Sequence, residues 1–383
     1  MAASVDPKTK TTYATTDWNH YQQGRPPYPP SLTDIILNYH RRHQQSDNGP
    51  GQPGWDRLVD IGAGSGVAST NFMPSFKTIH ISDPSPSNLD QARSFLTDYA
   101  RRHDLDPVLE YSQSTGEEAH THIVPSNQYA DLAICATAAH FIDPDGLAAS
   151  IARLLRPGGT LAVFSYWMPA FPGRSQRFAD TFTNAFDKVV VRALVAKELA
   201  ATTTAKAGAG EEAAAVDVSR TRLGDVVRRR MTGQGVLDSL PVPEEWFADP
   251  VRVYINAPRE IPLTSVFRKI FASALPGSGP GREGGEEERH GPGGGRIGGI
   301  PRLSERDEIV RYETGSHPEA DGWEFEADKK WLATFFDTIR PPGVESDEAR
   351  EAYAHWESVF DEECPSGRVR INWPAYLVLA SRK

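Results

Sequence analysis

The chain has 383 residues, 39% of them apolar, with 41 Lys and Arg against 51 Asp and Glu for a formal charge of −10. That length allows one large α/β domain with additions or two smaller domains. The acid excess argues against broad phosphate-backbone binding, which needs clustered positive charge, and for a small-molecule partner with no nucleic acid involved. Cys135 and Cys364 are too few for a disulfide framework, and no Cys/His spacing suggests zinc or another metal. The opening MAASVDPKTKTTYATTDW lacks the apolar stretch of a secretory signal, and no window approaches the ~18 apolar residues of a membrane span. A cytoplasmic protein with no membrane partner is the expectation.

Residues 1 to 16 are polar and expected to be disordered. After RPPYPP, Leu32, Ile35, Ile36 and Tyr39 recur at helical spacing, which predicts a helix from Ser31 to about Gln45, with DNGPGQPG as a loop behind it. Strand and helix signals then alternate. Strands are predicted at Leu58–Ile61, Thr78–Ser82, Val108–Ser112, Asp131–Cys135 and Thr160–Ser165, and helices at Ser87–His103 and Pro144–Leu155. Strands separated by helices in ~30-residue units specify a mostly parallel, Rossmann-like α/β sheet with helices on both faces.

From Met168 to about Phe271 the pattern reads as mainly helical, a substrate-cover insertion, with Ala200–Ala215 as a frayed helix or loop. Between Pro276 and Gly299 the composition collapses to Gly, Pro, Arg and Glu, which predicts a disordered insertion. Helices are expected near Lys329–Ile339 and Asp347–Phe360. The closing RVRINWPAYLVLASRK reads as a strand with a bulge or an edge position at Pro374. The domain reading is therefore a disordered 1–16, a core over 17–170, a helical cover over 171–275, the insertion 276–299, and a C-terminal part, 300–383, that completes the sheet.

The most informative segment is LVDIGAGSG, residues 58–66. A buried strand enters Gly62, Gly64 and Gly66, which let the chain turn sharply and a ligand approach the backbone, and a helix with free N-terminal amides is expected after them. Dinucleotide-binding loops use GxGxxG, whereas here the spacing is GxGxG and Val67 holds the sixth position. Asp60 would repel a pyrophosphate but attract the ammonium of a bound methionine, so the loop selects S-adenosyl-L-methionine over NAD. Asp83 ends the second strand, where a carboxylate accepts hydrogen bonds from both ribose hydroxyls; capping of the next helix is its other reading. Glu117, in STGEE, suits the adenine edge, or is an ordinary exposed Glu.

LVDIGAGSGVAS, HISDPSPSNLDQAR, STGEE, YADLAICATAAHFID and LLRPGGTLAVFSYW resemble the successive motifs of class I S-adenosylmethionine-dependent methyltransferases. YQQGRPPYP, ATAAHFID and WPAYLVLASRK resemble elements of the fungal branch that includes trans-aconitate methyltransferase-like enzymes. The resemblance covers residues 17–170 well and 305–383 loosely. It implies a seven-stranded sheet with an antiparallel last strand and the cofactor across the carboxyl ends of the first strands. By position it implies that Asp60, Gly62, Ala63, Gly64 and Gly66 hold the methionine end, that Asp83 binds ribose, and that Asn88 and Glu117 meet adenine, with Ala136 also at the cofactor. It places Tyr21 and Arg25 in an element folded over the cofactor, where either binds the carboxylate of methionine or of an acidic substrate, or Arg25 simply packs beside the Pro-rich turn.

Methyl transfer is an in-line displacement, for which the protein supplies alignment and desolvation. A carboxylate acceptor needs no general base, whereas a phenol or enol gains from one. His140 is the candidate catalytic base, with a pocket-wall role preferred, and Phe141, Tyr166, Trp167 and Phe171 are candidate apolar walls. The competing classes are an NAD-dependent oxidoreductase and a non-catalytic methyltransferase-like binding protein.

Overall fold

A computed structural model describes residues 16–44, 54–122, 129–208, 218–259, 301–341, 343 and 346–383. The expected disorder of residues 1–16 lies, but for Thr16, outside the described residues, as do the insertion at 276–299 and residues 209–215 of the expected frayed helix or loop. In chain order the elements are α1 (Trp18–Gln23), α2 (Pro30–His43), β1 (Arg57–Ile61), β2 (Thr78–Asp83), α3 (Pro86–Arg102), β3 (Val108–Gln113), β4 (Ala130–Ala136), α4 (Pro144–Leu154) and β5 (Leu155–Tyr166). There follow α5 (Gln176–Phe186), a π-helical turn at Asp187–Val191, α6 (Arg192–Gly208), α7 (Arg222–Arg230), β6 (Phe247–Ile255), β7 (Glu308–Tyr312) and β8 (Glu324–Asp328). The described chain ends with α8 (Lys329–Asp337), α9 (Asp347–Glu363), β9 (Arg368–Asn372) and β10 (Ala375–Arg382).

Local chemistry sets several of these boundaries. Pro30, Pro86 and Pro144 each open a helix, where the missing N–H costs nothing. Ser85 caps α3 by accepting from Asn88 N, and Asp143 caps α4 by accepting from Gly146 N. The cap of α3 is therefore Ser85, which leaves the Asp83 carboxylate for the cleft.

The main sheet runs β3-β2-β1-β4-β5-β10-β6-β7. Its first five strands are mutually parallel, and β10 is antiparallel to both β5 and β6. The expected mostly parallel Rossmann-like sheet is present, and β7, paired parallel to β6, extends it to eight strands. Side chains of β1, β4 and β10 are buried almost throughout, as a sheet covered on both faces requires. Chain order reverses between β1 and β4, so their carboxyl ends flank the crevice where α/β sheets bind ligands.

Three expectations need correction. The glycine loop leads not into a full helix but into one 3-10 turn, Ala68–Asn71, with Pro74 soon behind it, so no long helix offers its N-terminus there. The segment read as mainly helical also contains β6, whose Val251, Val253 and Ile255 carry strand propensity. Pro250 was no obstacle, because the β10 register shifts between Leu379 and Ser381 opposite it, and Asp249 takes a positive φ of 49°. Pro374 marks neither bulge nor edge but a change of sheet. The chain before it, β9, pairs with β8 in a separate two-stranded ribbon, and the chain after it, β10, enters the interior of the main sheet.

The cover is built from aromatic side chains. Phe182 of α5 meets Phe336 of α8 and Trp356 of α9 with ring centroids 5.1 and 5.8 Å apart. Phe171 stacks edge-on against Phe178 and Phe182, so it belongs to this core rather than to a pocket wall.

Candidate cofactor cleft and adjoining cavity

A cleft opens at the carboxyl ends of β1, β2 and β4. It is lined by Gly62, Ala63 and Gly64 from the loop, by Asp83 and Asn88 around the start of α3, by Glu117, and by Ala136 and Phe141 after β4. Gly62 and Gly64 adopt φ of +67° and +57°. A Cβ on Gly64 would lie 2.6 Å from the Trp18 ring, and one on Gly62 would lie 2.8 Å from the Ala138 Cβ, so only glycine leaves the floor low enough for a ligand. Gly66 does not line the cleft. Its φ is +79° and an added Cβ would strike Leu96 at 2.7 Å, so its absent side chain lets α3 pack against the loop.

Asp83 is the hub of the cleft. Its Oδ2 accepts from Gly64 N at 3.0 Å, and its Oδ1 accepts from Ser85 N at 2.9 Å and Asn88 Nδ2 at 3.1 Å. Burial raises its pKa, and the two backbone bonds and Asn88 oppose that rise. Asn88 in turn accepts from Trp18 Nε1 at 3.1 Å. Glu117 Oε1 accepts from Asp143 N at 3.1 Å, which ties the loop after β3 to the start of α4.

Asp60 sits below the lining. It is fully buried; its Oδ2 accepts from Ser69 Oγ at 2.7 Å, and its Oδ1 has no hydrogen-bond partner among the described residues. Burial pushes its pKa up to about 7, against the pull of the Ser69 bond. A buried acceptor without a donor is costly, and an ammonium group would satisfy it.

Two lining residues lie in the N-terminal element the sequence reading singled out, but were not themselves picked. Trp18 of α1 and Tyr28 close one side of the cleft together with Tyr21. The Tyr28 hydroxyl lies 2.9 Å from Thr137 Oγ1. Thr137 holds a positive φ of 52°, fixed by its N–H to Phe164 O at 2.8 Å. A β-branched residue in that region is strained, and such strain clusters at functional sites.

Arg25 does not line the cleft. Its guanidinium carbon sits 4.4 Å over the Tyr21 ring, and its side chain faces a second cavity of about 350 Å³. His140, Tyr166 and Trp167 line this cavity, and Phe141 lines both spaces. Phe141 is thus the shared wall, against which the His140 ring packs at 4.0 Å. His140 is buried, and its Nε2 lies 3.5 Å from Arg230 Nη1. Burial, then Arg230, Arg229 and Arg25, hold its pKa well below the usual histidine range. Arg230 also donates to Tyr166 O at 2.8 Å and stacks on Trp167 at 4.7 Å. Arg230 lies in RLGDVVRRR, a charged run with no motif or spacing that points to a site.

These features fit S-adenosyl-L-methionine. The glycine floor, the acceptor at Asp60, the carboxylate of Asp83 and the Trp18–Tyr21–Tyr28 flank match the needs of a zwitterion, a ribose and an adenine joined in one ligand. Residues 59–163 match the methyltransferase domain family. The chain is 32% identical over 164 residues to a probable S-adenosylmethionine-dependent methyltransferase of Saccharomyces cerevisiae, covering 42% of this chain and 50% of that one. It is 32% identical over 145 residues to a methyltransferase of Aspergillus fumigatus, covering 38% and 40%. The chain spans about half the length of the curated relatives it matches. A solved structure described as a putative type II methyltransferase from Anaeromyxobacter dehalogenans aligns over 93% of this chain and 97% of that one, at 16% identity and a TM-score of 0.45.

The fold and the cleft are those of a Rossmann-like nucleoside-binding domain. The domain in this chain is a class I methyltransferase domain, and its cofactor is S-adenosyl-L-methionine.

Proposed function

We propose that this chain transfers the methyl group of S-adenosyl-L-methionine to an oxygen, carboxylate or hydroxyl, of a small molecule. The observation that carries this reading is Phe141, which lines both the cofactor cleft and an adjoining cavity of a size suited to a small acceptor. Bound there, the cofactor supplies an activated methyl group. The acceptor oxygen's lone pair forms the new C–O bond while the C–S pair remains on sulfur. A carboxylate therefore loses no proton, and a hydroxyl must lose one.

In this reading Asp60 and the loop residues Gly62, Ala63 and Gly64 hold the methionine end, with Tyr21 beside them and Gly66 shaping the loop. Asp83 takes the ribose hydroxyls, and Asn88, Glu117 and Ala136 border the nucleoside. Arg25 serves the acceptor cavity rather than the cofactor. His140, Phe141, Tyr166 and Trp167 form the acceptor wall, with His140 as a neutral hydrogen-bonding residue. Residues 17–170 act as the cofactor core, α5–α7 with α8 and α9 as the cover, and the location is cytoplasmic. Among the described residues no helix is long and apolar enough to cross a membrane.

Calorimetry tests the first half of this reading. S-Adenosylhomocysteine is expected to bind at micromolar level and NAD far more weakly, and the reverse order would overturn it. A screen of labelled S-adenosylmethionine against small acids and phenols, with mass analysis of products, tests the second half. Label appearing only on nitrogen, or only on macromolecules, would overturn the oxygen acceptor.

A further inference from the structure

The acceptor cavity has a charge pattern opposite to that of the chain as a whole. The protein carries a formal charge of −10, yet the charged side chains lining this cavity are Arg25, Lys197, Arg222 and Arg230 against Glu198. They come from four separate stretches: the N-terminal element, α6, and both ends of α7. Burial lowers the pKa of Arg222, which marks it as a partly desolvated cation. Lys197 and Arg222 nonetheless remain exposed, whereas Arg25 and Arg230 are half-buried, and a half-buried cation is stabilised by an anion that shares its space.

Arg25 and Arg230 converge at the end of the cavity nearest the cofactor cleft. Arg230 reaches His140 Nε2 and the Tyr166 carbonyl, while Arg25 faces the Tyr166 hydroxyl. Each guanidinium rests on an aromatic face, Tyr21 for Arg25 and Trp167 for Arg230. Stacking of this kind holds a guanidinium in a fixed plane, and its charge attracts an oxyanion beyond the bonds that Arg230 makes to His140 and Tyr166 and Arg25 makes to Thr338 O at 3.4 Å. The remainder of the wall is hydrocarbon, including Phe186, Leu194, Val227, Met231 and Phe335. A compact, highly polar polyacid would leave these surfaces unsatisfied, whereas an acid with an apolar tail covers them.

Resting on the acceptor reading above, we infer that the acceptor is an amphiphilic anion. Its carboxylate is gripped by Arg25 and Arg230 beside Phe141, and its extended apolar body lies against α6, α7 and α8. Arg230 is then the specificity-determining residue that selects the charge, and α7 is the element that delivers it.

The test is titration calorimetry of the full chain saturated with S-adenosylhomocysteine. The probes are decanoate, decan-1-ol, decyltrimethylammonium and citrate. Decanoate is expected to bind at least tenfold more tightly than each of the other three. Arg230→Gln and, independently, Arg25→Gln are expected to weaken decanoate at least tenfold with little change for decan-1-ol. Equal binding of decanoate and decan-1-ol would overturn the charge selection, and tighter binding of citrate than decanoate would overturn the apolar body. Both comparisons use unmodified protein, so they stand even where a variant folds poorly. Failure to bind S-adenosylhomocysteine at all would instead count against the methyltransferase reading.

Discussion

Trp18 donates its indole N–H to Asn88 Oδ1 at 3.1 Å, which joins α1 to the first turn of α3 across the cofactor cleft. The same indole lies where a Cβ on Gly64 would be, so one aromatic ring meets both the glycine floor and the nucleoside end. The N-terminal element is therefore a wall of the cleft. Trp18→Ala is expected to weaken S-adenosylhomocysteine by ~10- to 100-fold, from lost aromatic area and a lost hydrogen bond. Calorimetry checks this, and an unchanged dissociation constant would mean that α1 plays no part in binding.

Gly64→Ala probes the floor itself. The new methyl group would meet Trp18 at 2.6 Å, in a backbone conformation with φ of +57° that L-residues adopt at a cost. Loss of cofactor binding is expected with the melting temperature lowered by only a few degrees, for a strain of ~1–2 kcal/mol. Equal affinity in the variant would show that the loop can move aside.

Asp83 already accepts three hydrogen bonds, and a carboxylate offers about four acceptor positions. If Asp83 takes both ribose hydroxyls, as proposed, one of those bonds must be shared or released. Asp83→Ala is expected to weaken S-adenosylhomocysteine by ~1.5–3 kcal/mol and to destabilise the ligand-free protein as well, since the loop loses its anchor. Asp83→Asn separates the two effects. It should keep most of the stability and still lose affinity, as seen by parallel thermal melts and titrations.

The cofactor site was legible because its constraints are local. A strand, a GxGxG loop and an acid at the end of the next strand lie close in sequence, and Gly62, Gly64 and Asp83 line one cleft with Asp60 buried beneath it. The acceptor cavity was not legible because its residues converge only through packing. Arg25 and Arg230 are 205 positions apart, and α7 looks like any charged surface helix until it is laid against β5 and the loop after β4. Strand β6 was hidden for a related reason, since Pro250 is tolerated only where the β10 register slips.

Asp60 gives the site a pH dependence with a definite sign. Burial raises its pKa to about 7, so the ligand-free fold holds a proton there that the unfolded chain releases near pH 4. Its contribution to ligand-free stability is full below pH 4 and falls as pH rises toward 7. A cofactor ammonium favours the ionised form, so binding should expel that proton. Affinity for S-adenosylhomocysteine is expected to rise roughly five- to tenfold between pH 6 and 7.5, and Asp60→Asn should flatten that rise. A slope that survives in the variant would place the titrating group elsewhere.

His140 was the candidate base, and its surroundings argue for a different role. Burial and three arginines hold its pKa well below 6.5, so the imidazole is neutral at physiological pH but a weak proton acceptor. General-base catalysis is most effective when the pKa lies near the working pH, and this environment moves it away. A neutral imidazole beside Phe141 instead leaves the positive charge to Arg25 and Arg230. The linkage follows the same sign, because the unfolded chain takes up a proton below pH 6.5 that the folded His140 refuses. Stability is therefore lost as pH falls below 6.5. In histidine carbon–proton spectra, one buried imidazole assigned through His140→Gln should stay neutral as the pH falls through the range in which a free imidazole takes up its proton. With an acidic acceptor, His140→Gln is expected to raise the Michaelis constant by a modest factor and to leave the pH profile of turnover unchanged between pH 6 and 8. A fall in turnover of ~10²–10⁴, together with loss of a limb near pH 6–7 in the variant, would restore His140 as the base and point to a hydroxyl acceptor.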